Sequence, residues 1–140
     1  MEKYRAQTGL MLKAPPKEIW SALTTPSVAK LYFHGAEITS EWKIGSEIRF
    51  QGEYKGHAYE EKGIILQAIP NKLLEYTHWS SVSGLPDRPE NYRIWSFTLL
   101  ESNGGTHLSI SEANITSIKQ RDRSIEFWNE VLQTLKGILE

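Results

Sequence analysis

Residues 117–140, SIKQRDRSIEFWNEVLQTLKGILE, decide the fold. Ile125, Trp128, Leu132, Leu135 and Leu139 recur at steps of three and four, which places them on one face of an α-helix. Phe127 and Val131 widen that face, so other structure must cover much of the helix. Ser117-Ile118-Lys119-Gln120 fits a capping box and starts the helix early, with Asp122 as the competing N-cap. Either start gives a helix well above the average length. An apolar face this long needs a surface of matching size.

The preceding segment supplies it. From Ile38 to Asn114 the pattern is short strands separated by tight turns. Strands are expected at Ile38–Trp42, Glu47–Tyr54, His57–Ile69, Lys72–Trp79, Asn91–Glu101 and Thr106–Asn114. Gly45, Lys55-Gly56, Pro70-Asn71 and Ser102–Gly105 mark the turns, and Ser80–Glu90, with Gly84, Pro86 and Pro89, is a longer loop. Short turns between successive strands imply an antiparallel meander. Upstream, Tyr4–Lys13 reads as a first strand that Ala14-Pro15-Pro16 ends. Pro16 suits the first turn of a helix, in which Ile19, Trp20 and Leu23 recur at helical spacing. Thr25-Pro26 starts a second short helix that ends near Tyr32. The order is strand, two short helices, six strands, long helix. An antiparallel sheet must cover one apolar face, and only the terminal helix is large enough to do so. The expected class is therefore α+β, with one curved antiparallel sheet of about seven strands around the C-terminal helix, in a single domain over residues 1–140.

Bulk properties exclude several functions. The 140 residues suit one domain. The net charge of −1 suggests neither nucleic acid nor an anionic membrane as partner. No apolar run approaches the roughly 20 residues of a membrane span. The absence of cysteine excludes disulfides, thiolate chemistry and Cys-based zinc sites. Met1–Leu10 lacks a signal-peptide core, so the expected location is the cytoplasm, and Asn114-Ile115-Thr116 is read as a chance match to the glycosylation pattern. Aromatic residues, at 11%, include five Trp and six Tyr, whose polar tips want partners when buried.

Several local motifs carry a resemblance. Ala14-Pro15-Pro16-Lys17-Glu18-Ile19-Trp20-Ser21-Ala22-Leu23-Thr24-Thr25-Pro26 is the longest. Ile44-Gly45-Ser46, Ile69–Thr77, Gly104–Ile110 and the closing Trp128 with Leu132, Leu135 and Leu139 follow in order. With these motifs the chain resembles the START-like, or birch-pollen-allergen-like, superfamily. Within it the chain is similar to the family of homologues of the activator of the heat-shock-protein ATPase. The resemblance implies a helix-grip fold with a cavity between sheet and C-terminal helix. It covers nearly the whole chain. It also implies a range of functions: lipid and hormone carriers, polyketide aromatases and cyclases, and co-chaperone domains. His78 departs from the pattern, since an aromatic residue such as Trp is common there in relatives.

Strand alternation assigns faces. Arg93, Trp95, Phe97 and Leu99 share one, expected to face the helix. Leu74, Tyr76 and His78 share another, as do Leu108, Ile110 and Glu112. Trp128 and Leu132 point back from the helix. The expected cavity lining is thus Tyr76, His78, Arg93, Trp95, Phe97, Leu108, Ile110, Glu112, Trp128 and Leu132. Two readings stand for its polar members. They orient a ligand's polar group, or they reach solvent or pair with each other, because an unpaired buried charge is costly. His34 could gate the entrance or sit at the surface. His57 and His107 lie beside turns, no histidine spacing suggests metal, and no phosphate loop or nucleophile elbow is present.

The leading functional expectation is binding of a small, largely apolar or aromatic ligand such as a lipid, polyketide or flavonoid, without cofactor. The enzymatic alternative is a cyclase or aromatase with His78 as base and Glu112 or Arg93 as its partner. The third is a co-chaperone domain of the stress response that contacts a heat-shock ATPase. Homodimerisation is compatible with the sequence, which marks no surface for it.

Overall fold

The computed structural model describes residues 3–140. Seven strands form one antiparallel sheet: β1 (Tyr4–Leu12), β2 (Glu37–Ser40), β3 (Glu47–Tyr54), β4 (His57–Ile69), β5 (Leu73–Ser80), β6 (Arg93–Ser102) and β7 (Gly105–Ile115). Helices α1 (Pro16–Thr24) and α2 (Pro26–Tyr32) follow β1, and α3 (Ile118–Leu139) closes the chain. The sheet order is β1-β7-β6-β5-β4-β3-β2, a meander closed by the first strand pairing with the last. This is the helix-grip arrangement: the sheet curves around α3, which buries Trp128, Val131, Leu132 and Leu135 against it.

Local chemistry sets the elements. Pro16 and Pro26 each occupy the first turn of a helix, where the missing N–H costs nothing. Tyr32 donates its hydroxyl to the Ala22 carbonyl at 2.8 Å and ties the two short helices together. The β6–β7 turn is Asn103-Gly104, with both residues at positive φ (48° and 83°). That is the backbone a two-residue hairpin requires, and it sets the register Ser102↔Gly105. The register then stacks rows across the inner face. Tyr76 lies beside Trp95 and Trp95 beside Glu112; Leu74 lies beside Phe97 and Phe97 beside Ile110.

Several boundaries differ from the sequence reading. The helix is capped by Ser117, whose Oγ accepts from the Gln120 amide at 3.1 Å, and Asp122 lies inside it. Thr25 makes no side-chain cap. β2 stops at Ser40 because Trp42 takes a positive φ of 59°. β6 starts at Arg93, since Pro89–Asn91 forms a single 3-10 turn. Among the described residues no helix is long and apolar enough to cross a membrane.

One glycine is needed by close approach. A Cβ at Gly63 on β4 would lie 1.6 Å from the Thr77 carbonyl oxygen of β5. Ile64 donates its amide to the Thr77 hydroxyl at 2.9 Å in the same place. The contact holds β4 close to β5 beside Glu61 and His78.

Candidate functional site

The interior between sheet and helix is filled. Trp128 is fully buried, with its ring perpendicular to Trp95 at 4.7 Å and edge-on to Phe97 at 5.6 Å. Leu108, Ile110 and Leu132 are sealed around it, and Tyr76 packs on Phe97 at 5.7 Å. Burial pushes the Tyr76 phenol well above its ordinary pKa. Tyr76, Phe97, Leu108, Ile110, Trp128 and Leu132 are thus core residues that do not reach the cavity wall. The sequence placed them there because an inward side chain looks the same whether it borders a void or fills one.

The cavity lies at one end of the grip and has a volume of about 530 Å³, within the range of small-molecule sites. The ends of β5, β6 and β7, the segment after α2, and the first half of α3 converge on it. Four of the ten expected residues line it: His78, Arg93, Trp95 and Glu112. His34 also lines it, as an exposed residue at the mouth with a positive φ of 52°.

Its apolar wall is a ring cluster. Phe33 stacks on Trp95 at 6.0 Å and on Phe127 at 6.3 Å, and meets Phe50 edge-on at 5.6 Å. The His78 ring lies flat on Trp95, with centroids 3.7 Å apart and planes at 16°. Trp95 Nε1 is the one buried side-chain polar atom without a partner among the described residues. Such orphans are uncommon in folded proteins.

The polar wall contains one ion pair and one histidine–carboxylate hydrogen bond. Glu112 is buried, and both its oxygens are used: Arg93 Nη1 donates to one at 2.7 Å and Trp128 Nε1 to the other at 2.9 Å. Arg93 Nη2 donates to Gln120 Oε1 at 2.8 Å, which ties the sheet to α3. Of the two sequence readings, mutual pairing describes Arg93 and Glu112. The hydrogen bond joins His78 Nε2 to Glu61 Oε1 at 2.9 Å. The partner of His78 is therefore Glu61, whereas the sequence offered Glu112 or Arg93. A β-bulge between Ile65 and Gln67 shifts the β4 register, which no residue pattern announced.

The loop between β5 and β6 roofs the site with Ser83 and Leu85. It is tied down on three sides. Trp79 Nε1 donates to the Leu85 carbonyl at 3.2 Å, Asn91 Nδ2 to the Pro86 carbonyl at 2.9 Å, and Lys62 pairs with Asp87 at 2.7 Å. The Lys62 contact, with the Tyr92 hydroxyl, holds the Asp87 carboxyl below the usual range. Partial burial, then the Asp87 hydrogen bond, pushes the Tyr92 phenol up to about 12.

Sequence reasoning missed Phe33, Phe50, Phe127 and Glu61 as wall residues. Phe127 had a signal, since it widened the helix face toward the mouth. Phe50 had only its alternation with Ile48.

These features define a helix-grip domain with an end-opening cavity, an architecture that fits a ligand-binding domain. The model of the family described as Activator of Hsp90 ATPase homolog 1-like protein matches residues 13–140, and the chain belongs to that family. A protein of Cytophaga hutchinsonii solved in solution is 38% identical, with a TM-score of 0.87 over 99% of this chain and 96% of that one. The Aha1 dimer of Colwellia psychrerythraea, at 22% identity and a TM-score of 0.77, covers 98% of this chain and 96% of its own. DynU16, a protein from the dynemicin biosynthetic locus, is 15% identical with a TM-score of 0.78, over 96% of this chain and 46% of that one. These last two show the shared fold. Among curated proteins, none matches the chain in sequence.

Proposed function

We propose that the protein binds a small amphipathic molecule with a flat aromatic body in the cavity at the end of the grip. The observation that carries this is the division of the wall: Phe33, Phe50, Trp95 and Phe127 offer ring faces, while Arg93, His78, Gln120 and Asn91 offer polar groups. The wall is more polar than the sequence suggested, which favours phenolic polyketide- or flavonoid-like molecules over plain lipids.

The test is a titration with flavonoids, phenolic polyketides and fatty acids, read by tryptophan fluorescence and thermal shift. Phenolic ligands should quench the fluorescence and raise the melting temperature, and Trp95→Phe should reduce the quenching. A panel that changes neither signal would refute the reading.

A further inference from the structure

We propose that the cavity also performs proton transfer, with His78 as general base and Glu61 as its positioning residue, on benzylic ketones, in which an acidic C–H lies between an aromatic ring and the carbonyl. This rests on the binding reading and names a substrate class for the same site. The Glu61 carboxylate accepts from His78 Nε2 at 2.9 Å, which places the ring proton on Nε2 and leaves the lone pair on Nδ1. Nδ1 has no protein partner among the described residues and is not one of the sealed polar atoms. The ring that carries it lines the cavity.

The ring is fixed on three sides: flat on Trp95 at 3.7 Å, edge-on to Phe50 at 5.5 Å, and bonded to Glu61. The Gly63–Thr77 approach fixes the two strands that carry the pair. Glu112, by contrast, has both oxygens occupied by Arg93 and Trp128, so neither is free to serve as the base.

The chemistry balances without a co-reactant. The C–H bond beside the ketone breaks, its proton goes to Nδ1, and its electron pair moves to the carbonyl oxygen as an enolate. Arg93, the cross-strand neighbour of His78, places its cation on the same wall. Return of the proton to carbon regenerates the ketone and the free base. The ring-faced wall suits the aryl body.

The test uses β-tetralone in heavy water, with proton NMR following loss of the proton signal beside the ketone. The protein should accelerate exchange by roughly 100-fold or more over buffer. His78→Gln should return exchange to the buffer rate while saturation-transfer NMR still shows β-tetralone bound. Glu61→Gln should lower kcat by about tenfold and leave KM within about twofold; a purely structural Glu61 would instead alter KM and the melting temperature. Circular dichroism checks each variant's fold, with His78→Asn as the second replacement. Binding without acceleration, or acceleration that survives loss of His78, would overturn the proposal and leave the binding reading standing. No binding of β-tetralone would overturn the benzylic-ketone assignment, and only failure of the whole ligand panel would overturn the binding reading.

Discussion

Replacing Glu112 with Ala removes the acceptor of two donors at once. Arg93 loses its counter-charge, and the fully buried Trp128 indole loses its only hydrogen-bond partner among the described residues. Breaking a buried ion pair from one side costs about 3–5 kcal/mol, and an orphaned buried N–H about 1–3 kcal/mol. The two overlap because one carboxylate serves both. The Arg93 side chain is 29% exposed, so water relieves part of its loss. The expected total is therefore about 3–4 kcal/mol. A chain of this size loses about 3–4 °C of melting temperature per kcal/mol, so the midpoint should fall by about 10–15 °C. Urea unfolding followed by circular dichroism measures the free energy directly. The double variant Arg93→Leu with Glu112→Leu removes the unpaired charge and should recover at least about 1 kcal/mol of the loss. A single variant that costs less than about 1 kcal/mol, or a double variant no better than the single, would refute the argument that the pair is a strut between sheet and helix.

Other outcomes follow from the same structure. Gly63→Ala should force β4 from β5 at Thr77 and destabilise by about 1–3 kcal/mol or more, measured by urea unfolding. Asp87→Asn should speed hydrogen exchange at Ser81 and Ser83 with the melting temperature near wild type. The wild-type loop should loosen in the same way as pH falls through the depressed Asp87 pKa, because a lowered carboxyl pKa stabilises only while the group is ionised. Burial raises the pKa of Tyr32 and Tyr76, so their contribution is intact below about pH 10 and is lost as pH climbs beyond it, where unfolded phenols ionise. Absorbance titration should show these two phenols ionising only with unfolding.

The fold was legible because its signals are local. The Ile125–Leu139 spacing, Pro16 and Pro26, and the Lys55-Gly56 and Asn103-Gly104 turns each act within a few residues. The site was legible only in part. Alternation correctly turned Trp95, Phe97 and Leu99 inward, all of them buried in the structure. Whether they border space depends on how three large rings fit together. Trp128 meets Trp95 and Phe97 edge-on and fills the middle of the grip, so the open volume lies nearer its end. The partner of His78 depended on the bulge at Ile65/Gln67, which shifts register without changing composition. Pairing of Arg93 with Glu112 was foreseeable from the cost of an unpaired buried charge, which needs no coordinates to state.

The central claim is that a ligand occupies the end cavity and not the filled interior. Nuclear Overhauser contacts between bound naringenin and assigned ring protons test it most directly. The structure predicts contacts to His78, Trp95 and Phe127, with none to Leu108 or Leu132. Contacts to those core residues, or to the outer face of the sheet alone, would contradict it.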